Sequence, residues 1–256
     1  MRRQSRVKVK ARGVTIGGAD PLVCVPLLAA TVDELPGRAA ELVALGPDIL
    51  EWRVDAMEGI DAGQVAALLR RLRQVIGELP LLFTCRMAAE GGRCSRASGE
   101  RLALILAALD SGEIDLVDVE LCNGPQFINP VTAKARAAAC PLILSHHDFH
   151  ATPPADGILA TLCAAEAAGA DIAKVAVMPR SSGDVLSLLT ACDQARQGAV
   201  GIPLIAISMG SLGVVSRVAG PLFGSDITFA AGAEASAPGQ LPIGELRLAM
   251  ATILGT

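Results

Sequence analysis

Eight times over, a short apolar run is followed by a longer Ala- and Leu-rich stretch of helical period, and this alternation constrains the fold most. The strand-like runs are Leu22–Leu28, Ile49–Val54, Leu81–Cys85, Leu116–Leu121, Leu142–Ser145, Ile172–Val177, Leu204–Ile207 and Ile227–Ala231. Helical stretches fall near 33–45, 61–77, 98–110, 129–139, 155–168, 182–197, 211–222 and 242–253. Such alternation over about 250 residues predicts an α/β fold, a (β/α)8 barrel of the TIM type. A doubly wound open sheet shares the alternation. It usually needs a Gly-rich turn after its first strand, where this chain reads CVPLLAATVDE. The alternating segment Val7–Ile16 predicts a short hairpin plugging one end of the barrel. No linker or low-complexity tract interrupts the chain, so residues 1–256 are expected to form one catalytic domain.

Composition narrows the function classes. With 52% hydrophobic and 19% charged residues the chain is not expected to be disordered. No apolar run of about eighteen residues is free of charge, Pro or Gly, so no membrane span is expected. The start MRRQSRVKVKARG lacks the apolar core of a secretory signal, and a cytoplasmic protein is expected. Six of the 22 basic residues sit in that arm, leaving an acidic body with 26 Asp and Glu, which argues against nucleic acid as a partner. The arm itself reads as a solvated edge. Seven cysteines, no two closer than nine residues, fit neither a disulfide framework nor a zinc knuckle and read as reduced core thiols.

Strand parity sorts the polar residues. Glu51, Arg53 and Asp55 share one face, against Leu50, Trp52 and Val54. Likewise Thr84 and Arg86, Asp118 and Glu120, and Ser145 and His147 oppose apolar neighbours. With the apolar face on the helix ring, the charged face points into the lumen. Unpaired charges there would cost several kcal/mol each, so either a structural ion-pair cluster or a site is implied. Barrel enzymes keep their sites at the C-terminal strand ends, where these residues gather. Lys174 is one of four lysines and alone lies inside an apolar strand, DIAKVAVMP. A strand lysine is often a snorkelling edge residue, but burial would make its amine a nucleophile toward carbonyls. His146, His147 and His150 fall together in SHHDFHATP. Adjacent strand residues cannot both face the lumen, which argues against a metal site; parity selects His147 as a general acid/base.

These segments resemble the type I 3-dehydroquinate dehydratases, the Schiff-base class of the shikimate-pathway enzyme. The resemblance runs from about residue 20 to residue 250, and its motifs keep their order. DILEWRVD and LLFTCRMAAEGG are similar to the second and third strand segments, the latter with Arg86 and Glu90. SHHDFHATP is similar to the histidine motif, and ADIAKVAVMPRSSGDVLSLL to the lysine motif. MGSLGVVSRVAGPLFGSDITFAA carries Arg217, and SAPGQ carries Ser236 and Gln240 on a substrate-covering loop. The resemblance implies dehydration of 3-dehydroquinate to 3-dehydroshikimate, with no metal and no cofactor, by a homodimer. It implies Lys174 as imine former, His147 as acid and base, and Glu90 as the residue that orients His147 and lifts its basicity. It implies Arg217 on the substrate carboxylate, with Glu51, Arg53, Arg86, Ser236, Gln240 and Met209 lining the substrate site. A Schiff-base aldolase would share Lys174, and a binding barrel without turnover would share Arg217. The SAPGQ loop and the joint presence of Lys174, His147 and Glu90 favour the dehydratase. Two places depart from the pattern: Pro26 stands where relatives carry a substrate-touching serine, and His146 precedes the catalytic histidine. The loop Gly92–Ser98, with Arg93, Cys94 and Arg96, is explained by no motif.

Overall fold

The computed structural model describes residues 3–93, 96–232 and 235–255. An antiparallel hairpin comes first, β1 (Val9–Ala11) and β2 (Val14–Ile16). Eight strands then alternate with eight helices: β3 (Leu22–Leu27), α1 (Glu34–Ala44), β4 (Ile49–Arg53), α2 (Ala62–Ile76), β5 (Leu81–Thr84) and α3 (Ser98–Ser111). They continue with β6 (Leu116–Glu120), α4 (Pro125–Ala137), β7 (Leu142–Asp148), α5 (Ala155–Ala167) and β8 (Ile172–Val177). The last are α6 (Ser182–Gln194), β9 (Leu204–Ser208), α7 (Val214–Phe223), β10 (Ile227–Phe229) and α8 (Ile243–Leu254). The strands are ordered β10-β3-β4-β5-β6-β7-β8-β9, each paired in parallel with the next. β9 and β10 close the ring at their N-terminal ends through Asp226, whose backbone N–H donates to Leu204 O at 2.7 Å. The fold is the (β/α)8 barrel.

An aspartate stands just before β4, β6, β8 and β10, and all four do the same work. Each makes a reciprocal pair with the start of the preceding strand. Asp48 N–H donates to Val23 O (2.9 Å) while Asp48 Oδ2 accepts from Val23 N–H (2.7 Å). Asp115 pairs with Leu81 in the same way (2.9 and 2.8 Å), as do Asp171 with Leu142 (2.8 and 2.8 Å) and Asp226 with Leu204 (2.7 and 2.7 Å). These carboxylates satisfy backbone donors where each ladder begins, a set that alternate strands supply around the ring. They fix strand register at the N-terminal end.

The two strand faces separate two cores. Leu50, Trp52, Phe83, Val117, Val119, Leu144 and Val175 pack outward against the helices. Cys24, Ile49, Leu82, Leu116, Ile143, Ile172, Ile205 and Ile227 fill the N-terminal half of the lumen, with Val9, Ala11 and Ile16 of the hairpin packed against them. The hairpin therefore floors the barrel. Its arm lies on the protein's own body: Arg12 bonds Asp115 (2.9 Å) and Glu78 (3.0 Å), and Arg6 donates to Gly198 O (3.0 Å).

Among the boundaries that differ from the sequence reading, three have a clear structural cause. α4 starts at Pro125 rather than near 129, because Gly124 at φ 73° turns the chain and proline suits the first helical position. β7 runs on to Asp148, held by its ladder to β8 as far as the Asp148–Val177 pair. β10 stops at Phe229, beyond which Ala231 pairs with Pro242. Cys94 and Arg2 lie outside the described residues; the other cysteines are free thiols. Among the described residues no helix is long and apolar enough to cross a membrane.

Candidate active site

The C-terminal half of the lumen is polar and opens into a cavity of about 530 Å³. Lys174, His147, Glu90, Glu51, Arg53, Arg86, Arg217, Ser236, Gln240 and Met209 all line it, so the structure brings every site residue read from the sequence to one place. Phe149, Ala176, Ile207 and Phe229 complete its walls.

Lys174 is buried, and Nζ is 2.8 Å from Asp118 Oδ2 and 4.7 Å from the centroid of the Phe229 ring. Strand parity put Asp118 in the lumen, but its partnership with Lys174 becomes visible only when β6, β7 and β8 stand side by side. Burial alone would raise the Asp118 carboxyl. Arg86 and Lys174 outweigh it and hold the group well below the usual carboxylate range. Arg86 is the centre of the cluster: it donates to Asp118 Oδ1 (2.7 Å), Glu120 Oε1 (2.9 Å) and Ser145 Oγ (2.8 Å). Arg101 reaches Glu120 from behind. Thr84 Oγ1 donates to Glu51 Oε1 at 2.8 Å, and Arg53 grips Asp55 with two bonds of 2.8 Å. The ion-pair cluster and the site are therefore one object.

Glu90 ends a short 3-10 turn after β5 and reaches across to β7. Its Oε2 accepts from the His147 backbone N–H at 2.8 Å and lies 2.8 Å from His147 Nδ1. The adjacent Gly91 has φ 82°, and a Cβ there would sit 2.4 Å from Phe149 Cζ, so only glycine fits the turn. The resemblance implied that Glu90 lifts the basicity of His147. Burial, followed by the positive Arg86 and Lys174, sets the net direction and pushes the imidazole well below its ordinary value. A lowered pKa favours the neutral imidazole, the form able to accept a proton. His146 points the other way and is half-exposed, with Nδ1 3.8 Å from Glu90 Oε1.

Arg217 is buried on α7 and donates only to backbone carbonyls, Phe229 O (3.2 Å) and Pro238 O (2.9 Å). Its Nε has no hydrogen-bond partner among the described residues, and burial pulls its pKa down to about 10. Among the described residues this guanidinium meets no anion. Gln240 Oε1 accepts from the Ser236 backbone N–H (2.7 Å) and hydroxyl (3.1 Å), fixing the loop over the cavity mouth.

Pro26 lines a neighbouring cavity with Arg38 and Arg93 rather than this one. Arg96 ties its loop to the chain after β4, donating to Met57 O at 3.0 Å. Among the described residues no group of His, Cys, Asp and Glu side chains has the geometry to hold a metal ion. The sequence reading put Asp118 and Ser145 in the lumen without giving them a role, and it did not name Phe229 or Phe149. An apolar ring carries no signal of its role in sequence, whereas Asp118 could be found by parity.

A family model for type I 3-dehydroquinase matches residues 23–255. A 3-dehydroquinate dehydratase of Geobacillus thermodenitrificans is 41% identical over 252 residues, covering 98% of this chain and 97% of the relative. The crystal structure of 3-dehydroquinate dehydratase from Geobacillus kaustophilus superposes with a TM-score of 0.95 at 42% identity, over 100% of this chain and 99% of that one. A type I 3-dehydroquinate dehydratase from Clostridium difficile, solved with covalent modified comenic acid, has a TM-score of 0.92 at 37% identity, over 96% and 97% of the two chains.

Proposed function

The chain belongs to the type I 3-dehydroquinase family, whose reaction passes through a Schiff base, and we propose that Lys174 forms the imine. The enzyme is a hydro-lyase of the shikimate pathway that converts 3-dehydroquinate to 3-dehydroshikimate. The assignment of its residues rests on one observation. A buried lysine amine shares its cavity with a hydrogen-bonded His147–Glu90 pair and with a guanidinium that has no acidic partner among the described residues.

In this reading Arg217 takes the substrate carboxylate, an anion that no described residue beside it supplies. A two-pronged guanidinium contact fixes the ring as well as binding it. Lys174, freed of its proton, adds to the ketone and expels water to leave a cationic imine. Asp118 and the Phe229 ring hold the nitrogen in place and balance its charge. The imine draws electrons from the neighbouring C–H bond, and His147 accepts that proton as the enamine forms. The enamine electrons then return through the ring and expel the β-hydroxyl, which takes the proton from His147 and leaves as water. Hydrolysis of the product imine consumes one water and restores the Lys174 amine. Glu51, Arg53 and Arg86 bind the ring hydroxyls, while Met209, Ser236 and Gln240 close the cavity over them. The proposal includes one catalytic domain, assembled as a cytoplasmic homodimer as family analogy implies.

Borohydride reduction in the presence of 3-dehydroquinate tests it. A stable adduct that peptide mass spectrometry places on Lys174 is the expected result. Turnover, followed by enone absorbance, without any trapped adduct would sink the assignment.

A further inference from the structure

Glu90 has two carboxylate oxygens, and only Oε2 is used by His147. The other, Oε1, lies beside Cys122 and His146, which with Leu121, Ala160, Thr161 and Ala164 line an open cleft between the end of β6 and α5. Cys122, on the short turn Leu121–Asn123, places Sγ 3.1 Å from Glu90 Oε1. The same sulfur lies 3.4 Å from Met87 Sδ, but a carboxylate oxygen is a far better acceptor than a thioether, so the S–H proton goes to Glu90. Burial and the nearby Glu90 push the thiol up to about 12, which keeps it a donor across the working pH range. The charged and titratable groups around Glu90 are then Cys122 after β6, His146 and His147 on β7, Arg86 after β5, and Glu120 on β6.

We propose that Cys122 is a positioning residue for proton transfer: by donating to Oε1 it orients the Glu90 carboxylate toward His147 and restrains the proton affinity of the Glu90–His147 pair. This rests on the reading of His147 as the acid/base. A hydrogen bond to the charged form of a carboxylate favours that form. Removing the donor raises the proton affinity of the coupled pair, wherever in the pair the proton sits. The acid limb of activity must then move to higher pH. Cys122 lies on an exposed turn, and its substitution leaves the barrel core untouched.

The test compares wild type, Cys122→Ala and Cys122→Ser by the pH dependence of kcat/KM and by NMR titration of the His147 ring. The chain has only three histidines, which makes the ring signals assignable. In Cys122→Ala both the kinetic limb and the ring titration should move up by about half a pH unit, with KM on the plateau unchanged. In Cys122→Ser both should stay near wild type, because the hydroxyl still donates. Neither moving in Cys122→Ala, or both moving equally in Cys122→Ser, overturns the proposal. A ring titration that moves while the kinetic limb stays supports the Cys122–Glu90 link and overturns the catalytic assignment of His147 instead.

Discussion

The two halves of the lumen are built from the same strands and the same side-chain parity, yet they differ completely in chemistry. One step up each strand, Ile49 gives way to Glu51, Leu82 to Thr84, Leu116 to Asp118, Ile143 to Ser145 and Ile172 to Lys174. Both layers are almost fully buried. Burial alone therefore does not decide what a barrel interior is made of. The lower layer is held by apolar contact and by the hairpin beneath it. The upper layer survives because its charges find partners: Lys174 meets Asp118, Arg86 meets Asp118 and Glu120, and Glu51 accepts from the Thr84 hydroxyl. The dry floor keeps water from entering below, which strengthens those interactions and keeps the lysine amine fixed. Arg217 is the exception: its positive charge meets no acid among the described residues.

The sharpest way to break the comparison is Lys174→Ala. Turnover should fall on the order of 10⁴–10⁶-fold, and borohydride should trap nothing, because the nucleophile itself is gone. The barrel should still fold, since Arg86 and Ser145 continue to hold Asp118 Oδ1 at 2.7 and 2.6 Å. A trapped adduct on the Lys174→Ala protein would move the imine elsewhere.

His147→Ala should cost less, roughly 10²–10⁴-fold in kcat, because general acid/base catalysis is worth about that much. Imine formation should survive, so mass spectrometry should find substrate accumulated on Lys174. An unchanged kcat, measured at saturating substrate, would leave His147 without a role in the chemistry.

A change at the other end of the barrel should leave catalysis alone. Asp171→Ala removes the side-chain acceptor of Leu142 N–H while keeping the backbone half of that pair. The expected loss is about 1–2 kcal/mol of stability, a melting temperature lower by a few degrees, with kcat and KM unchanged. A kinetic effect of Asp171→Ala would mean that strand register at the floor is transmitted to the site.

The alternation of elements and the parity of each strand were legible in the sequence because they depend on local periodicity. Parity alone put Glu51, Asp118 and His147 on the lumen face, and Lys174 stood out as the one lysine inside an apolar strand. What it could not supply was the neighbour across the ring. That Asp118 serves Lys174, that Phe229 sits over the amine, and that Cys122 backs Glu90 are facts of barrel closure. The four floor aspartates were visible as an Asp before an apolar run, but such residues read equally well as turn formers. The net direction of the His147 shift was not legible for a different reason. A carboxylate partner is obvious in a motif, whereas the depth of burial and two nearby cations are properties of the assembled lumen.

The smallest expected effect separates the two adjacent histidines. His147 faces the cavity and contacts Glu90 Oε2 at 2.8 Å; His146 faces the outer cleft, and its 3.8 Å to Oε1 is too long for a hydrogen bond. Half-exposed charges at that distance interact by no more than about 1 kcal/mol, so His146→Ala should change kcat less than about fivefold. The pH profile makes the distinction clear. His147 acts as a base only when neutral, so activity falls as pH drops through its pKa. Burial, Arg86 and Lys174 lower that pKa, and the acid limb of kcat/KM should therefore lie below the ordinary imidazole value of about 6.5. The limb should persist in His146→Ala and disappear in His147→Ala. The opposite pattern would require β7 to present His146 to the lumen, against the pairing of His147 with Ala176 and of Ser145 with Lys174 that sets its register.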